Sequence, residues 1–335
     1  MKQKKPIMKP KKPLVVILGL FFIALIAYGL YNYTDFFKFS TKNNDPQKTN
    51  STPSTNSTEN VDIPTPSPTP QIPPMPKEWQ DNGIFNAYYE KAYEKMSQMT
   101  VEQKLSQLLW VRCPEGDIAT SEIKTLQPGG LVLFKRDFEG KTAEEIQKNI
   151  NAYQTASDIP LLIATDEEGG KIIRASQNKK LRETPFASPM EIFAKGGVSA
   201  EVADANAKAD FLKNLGVNVV LAPVADVSTD PENYIYDRTI GQNAEVTADY
   251  VSQVVRAFNA KNIGSSLKHF PGYGTNIDTH GSLAVDTRPK ETFENGDLLP
   301  FKSGISAGVP CVLVSHNIVN AYDEENPASL SANVH

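Results

Sequence analysis

Cysteine is nearly absent: Cys113 and Cys311, each inside an apolar run, are the whole complement of 335 residues. Two thiols so far apart exclude a disulfide-stapled scaffold and a CxxC metal site, and both read as core thiols. Basic charge is scarce where the chain should fold. Overall, 34 Lys and Arg stand against 39 Asp and Glu, but residues 1–76 hold nine lysines and only Asp35, Asp45, Glu59 and Asp62. That leaves 25 basic and 35 acidic side chains in 77–335, a net of −10. Phosphate contacts need clustered Lys and Arg, so a nucleic-acid partner is excluded and neutral or cationic small substrates fit better. No Gly-rich phosphate fingerprint follows the first strand-like run, which argues against a dinucleotide-binding sheet. Disorder is excluded for most of the chain by its 40% hydrophobic content.

Charge distribution divides the chain. Residues 2–12 carry six Lys and no acid, and 13–34 carry no charge at all. This predicts a cytoplasmic basic tail (1–13) and a transmembrane signal anchor (14–34), with the Lys-rich flank inside and everything after it extracytoplasmic, at the cell surface. Residues 35–76 form a Ser/Thr/Pro-rich linker; nine of the 24 prolines lie in 40–76 and favour an extended spacer. The remaining 77–335 is the expected folded domain.

Within it, apolar runs of strand length occur at 108–113, 129–134, 160–165, 217–224, 265–270 and 309–316, separated by helix-like stretches such as 143–153, 200–215 and 244–260. Thr100 with Gln103 makes a capping box ahead of the first run. Continuous hydrophobic strands alternating with helices indicate a parallel sheet covered by helices: an α/β fold, either a (β/α)8 TIM-type barrel or a doubly wound sheet. Either places its site at the carboxyl ends of the strands.

The residues there are polar. After the third run come Asp166, Glu167, Glu168, Gly169 and Gly170, then Arg174; after the fourth, Asp226 and, a loop later, Asp237 and Arg238. The fifth ends in Lys268 and His269, followed by a Gly-x-Gly loop, Asp278 and His280. Two of only four histidines lie in this stretch, and a His beside a carboxylate is a workable acid/base near neutral pH. A metal held by His269, Asp278, His280 and His316 is the competing chemistry, but no His-x-His or His-Glu-x-x-His spacing supports it.

Lys268-His269-Phe270-Pro271-Gly272 followed by Asp278-Thr279-His280 resembles the signature of family 3 glycoside hydrolases, in their bacterial β-N-acetylglucosaminidase (β-N-acetylhexosaminidase) branch. The segments 99–104, 129–134, 166–174 and Pro327-Ala328-Ser329-Leu330-Ser331 are similar to the family's pattern too. The resemblance implies a (β/α)8-type barrel that removes terminal β-linked N-acetylglucosamine with retention of configuration, from cell-wall peptidoglycan fragments or related glycans, without metal or organic cofactor. It implies His280 as acid/base and Asp278 as its orienting partner. Asp166, Arg174, Arg238, Lys268 and His269 would bind the sugar.

Tyr273 and Thr275 depart from the family, which often has His and Asp at those loop positions. No Asp after His280 reads as the family's nucleophile, since Asp286, Asp297 and Asp323 follow no apolar strand. The expectation is therefore a barrel domain whose C-terminal strands and nucleophile are missing from this chain. A sugar-binding wall protein without catalysis is the alternative if the protein ends at His335.

Overall fold

The structure, a computed structural model, describes residues 73–80, 83–275 and 284–335. The predicted tail, the anchor and most of the linker lie outside the described residues, as do Asp278 and His280. Among the described residues no helix is long and apolar enough to cross a membrane.

Two short helices, α1 (Tyr89–Ser97) and α2 (Val101–Gln107), lead into the sheet. The predicted capping box is present: the Gln103 amide donates to Thr100 Oγ1 at 3.2 Å and the Thr100 amide to Gln103 Oε1 at 2.9 Å. The apolar runs then become β1 (Trp110–Arg112), β2 (Gly130–Leu133), β3 (Leu162–Thr165), β6 (Val219–Val220), β7 (Gly264–Phe270) and β9 (Cys311–Val314). Between them run α3 (Ala119–Leu126), α4 (Ala143–Ala156), α5 (Pro189–Asn214), α6 (Ala244–Ala260) and α7 (Leu298–Ser306). Two small paired ribbons, β4 (Glu167–Gly169) with β5 (Ile172–Ile173) and β8 (Val285–Asp286) with β10 (Ile318–Val319), have no counterpart among the predicted strands.

The six long-run strands form one parallel sheet in the order β1-β2-β3-β6-β7-β9. Every neighbour is the next strand in the chain, with no reversal of direction along the sheet. A doubly wound sheet requires such a reversal at its switch point, so the winding is that of a TIM-type barrel. Among the described residues six strands are present, not eight, and no pairing joins β1 to β9.

Two elements differ from the sequence reading. The 217–224 run gives a regular strand of only two residues; past it the bonds to both neighbours go on irregularly, from the Leu221 amide to Thr165 O at 2.9 Å, from the Ser266 amide to Ala222 O at 3.0 Å and from the Ala225 amide to Lys268 O at 2.7 Å, with Pro223 having no N–H to donate. The helix expected from 200 starts at Pro189, with Ser188 and Glu191 as a second capping box, and is kinked at Gly196 and Gly197.

The core packs helices against the sheet's outer face: Ile146 and Ile150 from α4, Ala209 and Leu212 from α5, Val251, Val255 and Phe258 from α6, and Phe301 from α7 meet Leu131, Ile163 and Leu267. Cys113 is buried there, and burial pushes its thiol up to about 11. Cys311 is only part-buried on the edge strand β9, so the core-thiol expectation holds for one cysteine; both are free. At Gly304 α7 lies close against both β7 and α6: a Cβ there would stand 2.6 Å from Leu267 Cδ1 and 2.9 Å from Val251 Cγ1. Gly304→Ala is expected to cost about 1–3 kcal/mol by overpacking, read as a lowered urea midpoint with unchanged m-value. An unchanged midpoint would show that this contact yields.

Candidate active site

A parallel winding delivers every strand's carboxyl end to the same side, and the polar residues of the sequence analysis meet there. β3 ends at Thr165, so Asp166 leaves the sheet at its rim, and β4 folds Glu168 back beside it. The return requires two glycines: Gly169 has φ +107° and Gly170 +59°, and a Cβ on Gly169 would lie 2.0 Å from Ala187 O. Past this turn, β5 brings Arg174 over the mouth, with Nη2 3.2 Å from Asp166 Oδ2.

β7 supplies the centre. Lys268 is 2% exposed, and its Nζ lies 2.8 Å from Asp166 Oδ1 and 2.5 Å from Glu168 Oε1. Arg238, ending the turn Tyr236–Arg238, clamps Glu168 through Nε at 3.0 Å and Nη2 at 2.7 Å. Its Nη2 also stands 3.0 Å from His269 Nε2. A guanidinium can only donate, so Nε2 accepts and the proton of neutral His269 sits on Nδ1. Nδ1 in turn faces Asp226 Oδ2 at 2.7 Å, and Asp226 also accepts the amides of His269 at 3.0 Å and Tyr273 at 2.7 Å. Both ring nitrogens of His269 are thereby committed, which leaves it no lone pair for the metal that the sequence left open. Among the described residues no group of three His, Cys, Asp or Glu could hold a metal ion.

Three carboxylates (Asp166, Glu168, Asp226) balance three cations (Arg174, Arg238, Lys268), so the cradle is electrically neutral while rich in directional donors and acceptors. Such a surface suits an uncharged polyhydroxylated ligand. Burial works to raise Asp166 and Glu168, but Lys268, with Arg238 and, at Asp166, Arg174, outweighs it and holds both below the usual carboxylate range. Burial likewise works to lower Lys268, and Glu168 and Asp166 reverse this, leaving it above its ordinary value.

Behind the cradle, Lys208 on α5 donates to Glu168 O at 2.6 Å and pairs with Asp204 at 2.6 Å. Glu201, one turn earlier and 3% exposed, is pushed up to about 8 by burial, with Lys208 opposing and Asp204 adding to the rise. The signs are opposite. The lowered Asp166 and Glu168 contribute stability above the unfolded carboxylate pKa of about 4, lost as pH falls through their folded values. Glu201 is favoured protonated in the fold, so its contribution is lost as pH rises from about 4.5 to about 8. Glu201→Gln, uncharged at every pH, is expected to flatten that alkaline slope in urea-unfolding free energies between pH 5 and 8. A slope identical to wild type would refute it.

All five predicted binding residues converge: Asp166, Arg174, Arg238, Lys268 and His269. Asp278 and His280 lie outside the described residues. Sequence reasoning did not place Glu168 and Asp226 in the site. Asp226 had a signal, an acid just past an apolar run, as Asp166 is; Glu168 was hidden beside Glu167, which turns into the fold and accepts the Ala175 amide at 2.9 Å. Asp286, Asp297 and Asp323, dismissed as nucleophiles, are all engaged: the first two by Arg288, the third by Ser331 Oγ at 2.7 Å.

Residues 100–334 match the glycosyl hydrolase family 3 N terminal domain. The chain belongs to glycosyl hydrolase family 3. It is 34% identical over 191 residues to a beta-hexosaminidase of Xanthomonas campestris pv. campestris (strain B100), covering 56% of either protein. To a beta-hexosaminidase of Xylella fastidiosa (strain 9a5c) it is 34% identical over 222 residues, 64% of this chain and 65% of that one. The chain thus spans little more than half the length of the first of these relatives. Among solved structures, the family 3 beta-N-acetylglucosaminidase from Paenibacillus sp. str. FPU-7 superposes with a TM-score of 0.65 at 29% identity, over 70% of this chain and 46% of that one. The family 3 cradle therefore sits on a TIM-like α/β fold, as the winding requires.

Proposed function

We propose that the protein is a retaining glycoside hydrolase that removes terminal β-linked N-acetylglucosamine. The observation that carries the reading is the charge-balanced cradle around Lys268 at the strand ends of a family 3 chain, supported by relatives named beta-hexosaminidase and beta-N-acetylglucosaminidase. Asp166, Arg174, Lys268, His269 and Arg238 hold the sugar's hydroxyl and acetamido groups, and Glu168 and Asp226 hold those side chains in place. His280 protonates the leaving oxygen and later deprotonates water, with Asp278 orienting it, as retention demands of one acid/base residue. With residues 14–34 as an anchor, the enzyme stands outside the cytoplasmic membrane, where peptidoglycan fragments are the natural source of such ends.

The test is release of nitrophenol from 4-nitrophenyl N-acetyl-β-glucosaminide, with the matching β-glucoside as control. Selective turnover of the first is expected of the protein that carries, besides these residues, the family's nucleophile. Saturable binding of N-acetylglucosamine without turnover would move the reading to a sugar-binding wall protein, and neither would overturn both.

A further inference from the structure

An ion pair lies behind the cradle, on the helix side, and nothing in the proposed reaction uses it. Lys208 on α5 is 5% exposed; its Nζ donates to Glu168 O at 2.6 Å and pairs with Asp204 Oδ2 at 2.6 Å. Asp204 and Lys208 stand one turn apart on one helix, a pairing that forms on solvent-exposed helices too, so it gives no reason to bury an ammonium. What burial adds is the bond across to β4. The same Nζ stands 5.5 Å from the centroid of the Phe186 ring, and a Cβ on Gly169 would lie 3.4 Å from it. The ammonium is therefore seated where α5, β4 and the segment at Phe186 meet.

β4 has need of an anchor there. It pairs with β5 alone, and a ribbon of three residues against two is marginal by itself. Glu167 is engaged within the ribbon's own return, accepting the amides of Arg174 at 3.2 Å and Ala175 at 2.9 Å. Two backbone groups are held from outside: the Gly170 amide donates to Phe186 O at 2.9 Å, and Glu168 O accepts from Lys208. The second of these decides more, because the Glu168 carboxylate is where the cradle's cations meet. Its Oε1 faces Lys268 Nζ at 2.5 Å and Arg238 Nη2 at 2.7 Å, its Oε2 accepts from Arg238 Nε at 3.0 Å, and the same guanidinium reaches His269 Nε2 at 3.0 Å. Three of the five sugar-binding side chains thus take their places, directly or through Arg238, from Glu168.

We infer that Lys208 is a positioning residue, which pins the Glu168 backbone to α5 and so sets where Lys268, Arg238 and His269 meet the sugar. This rests on the proposed function. A residue that acts on a ligand through others commonly changes the coupling by about 2- to 30-fold in affinity.

The experiment measures the Kd of N-acetylglucosamine by calorimetry, the urea midpoint, and hydrogen–deuterium exchange over 167–173, in wild type, Lys208→Met and Asp204→Asn. Glu201, on the same face of α5 and raised to about 8 by burial, is kept protonated beside Lys208, Asp204, Glu168 and Tyr250 by working at about pH 6. Lys208→Met, which keeps the apolar stem, is expected to weaken binding about tenfold and to quicken exchange over 167–173. Asp204→Asn removes the ion pair but not the bond to Glu168 O, so it should lower the urea midpoint while leaving Kd within about twofold and that exchange unchanged. A lysine with a structural role alone would show in the midpoint of both variants and in the Kd of neither. Should Lys208→Met fail to fold, the double variant Asp204→Asn with Lys208→Met, which leaves no unpaired carboxylate on α5, carries the same expectation. An unchanged Kd in folded Lys208→Met, or equal weakening by Asp204→Asn, would overturn the inference. A wild type that binds no N-acetylglucosamine would remove the proposed function instead; the anchoring of β4 by Lys208 is then decided by exchange, quickened in Lys208→Met if it holds and unchanged if it does not.

Discussion

Lys268→Met is expected to lower the unfolding free energy by about 3–5 kcal/mol at pH 7, the cost of removing one partner from a buried ion network, or roughly 6–20 °C in melting temperature for a domain of this size. Among the described residues the ammonium is the one cation that ion-pairs with both Asp166 and Glu168. Without it, Asp166 retains Arg174 at 3.2 Å and Glu168 retains Arg238 at 2.7 Å, but three carboxylates then face two guanidiniums, with Glu168 and Asp226 buried. Burial, which Lys268 outweighs in the wild type, becomes the dominant influence, so both carboxyl pKa values rise. The sign for the variant follows: its folded state takes up protons more readily than its unfolded state, and the deficit shrinks as pH falls from 7 towards 4.5. Urea unfolding of both proteins at the two pH values decides it. A deficit equal at both would mean that lost packing of the lysine stem, not uncompensated charge, accounts for the loss. N-acetylglucosamine binding should fall in parallel, since Asp166 loses the partner that orients it.

His280→Ala is expected to reduce kcat on phenyl N-acetylglucosaminide by about 10²–10⁴-fold, the usual contribution of general acid–base catalysis. Where the family's nucleophile is present to form the glycosyl-enzyme, the dinitrophenyl substrate, whose leaving group needs no proton, should reach that stage at nearly the wild-type rate, seen as a burst. Deglycosylation still requires a base, so added azide, a nucleophile that needs none, should accelerate turnover of the variant and not of the wild type. Equal losses on both substrates with no azide effect would remove His280 from the acid/base role. The cradle offers no substitute for it: His269 has both ring nitrogens bound, to Arg238 at 3.0 Å and Asp226 at 2.7 Å.

Much of the architecture was legible because its signal is local. A strand buried on both faces must be apolar throughout, so six runs gave six strands, and Thr100 with Gln103 marked a helix start through bonds spanning three residues. The β4–β5 and β8–β10 ribbons were not legible, since strands of two or three residues are too short to carry a periodicity. The length of β6 was misread for a related reason: Val219 and Val224 look alike in hydrophobicity, though the first lies in a regular strand and the second makes only an isolated bridge to Lys268.

By itself, then, the amino-acid order determined the alternation of strand and helix, the acidity that excludes nucleic acid, and the identity of the five polar side chains that meet at the strand ends. It did so because hydrophobic period, charge and the Lys268-His269-Phe270-Pro271-Gly272 motif are properties of neighbouring residues. Tertiary structure alone decided which acid of 166–168 turns inward, that Asp226 fixes the proton on His269, and that Lys268 is shared between Asp166 and Glu168. The cradle's choices are among partners far apart in the chain, 43 positions between His269 and Asp226 and 102 between Lys268 and Asp166. Which carboxylate a buried cation meets depends on how the sheet winds, and no pattern within a dozen residues encodes it.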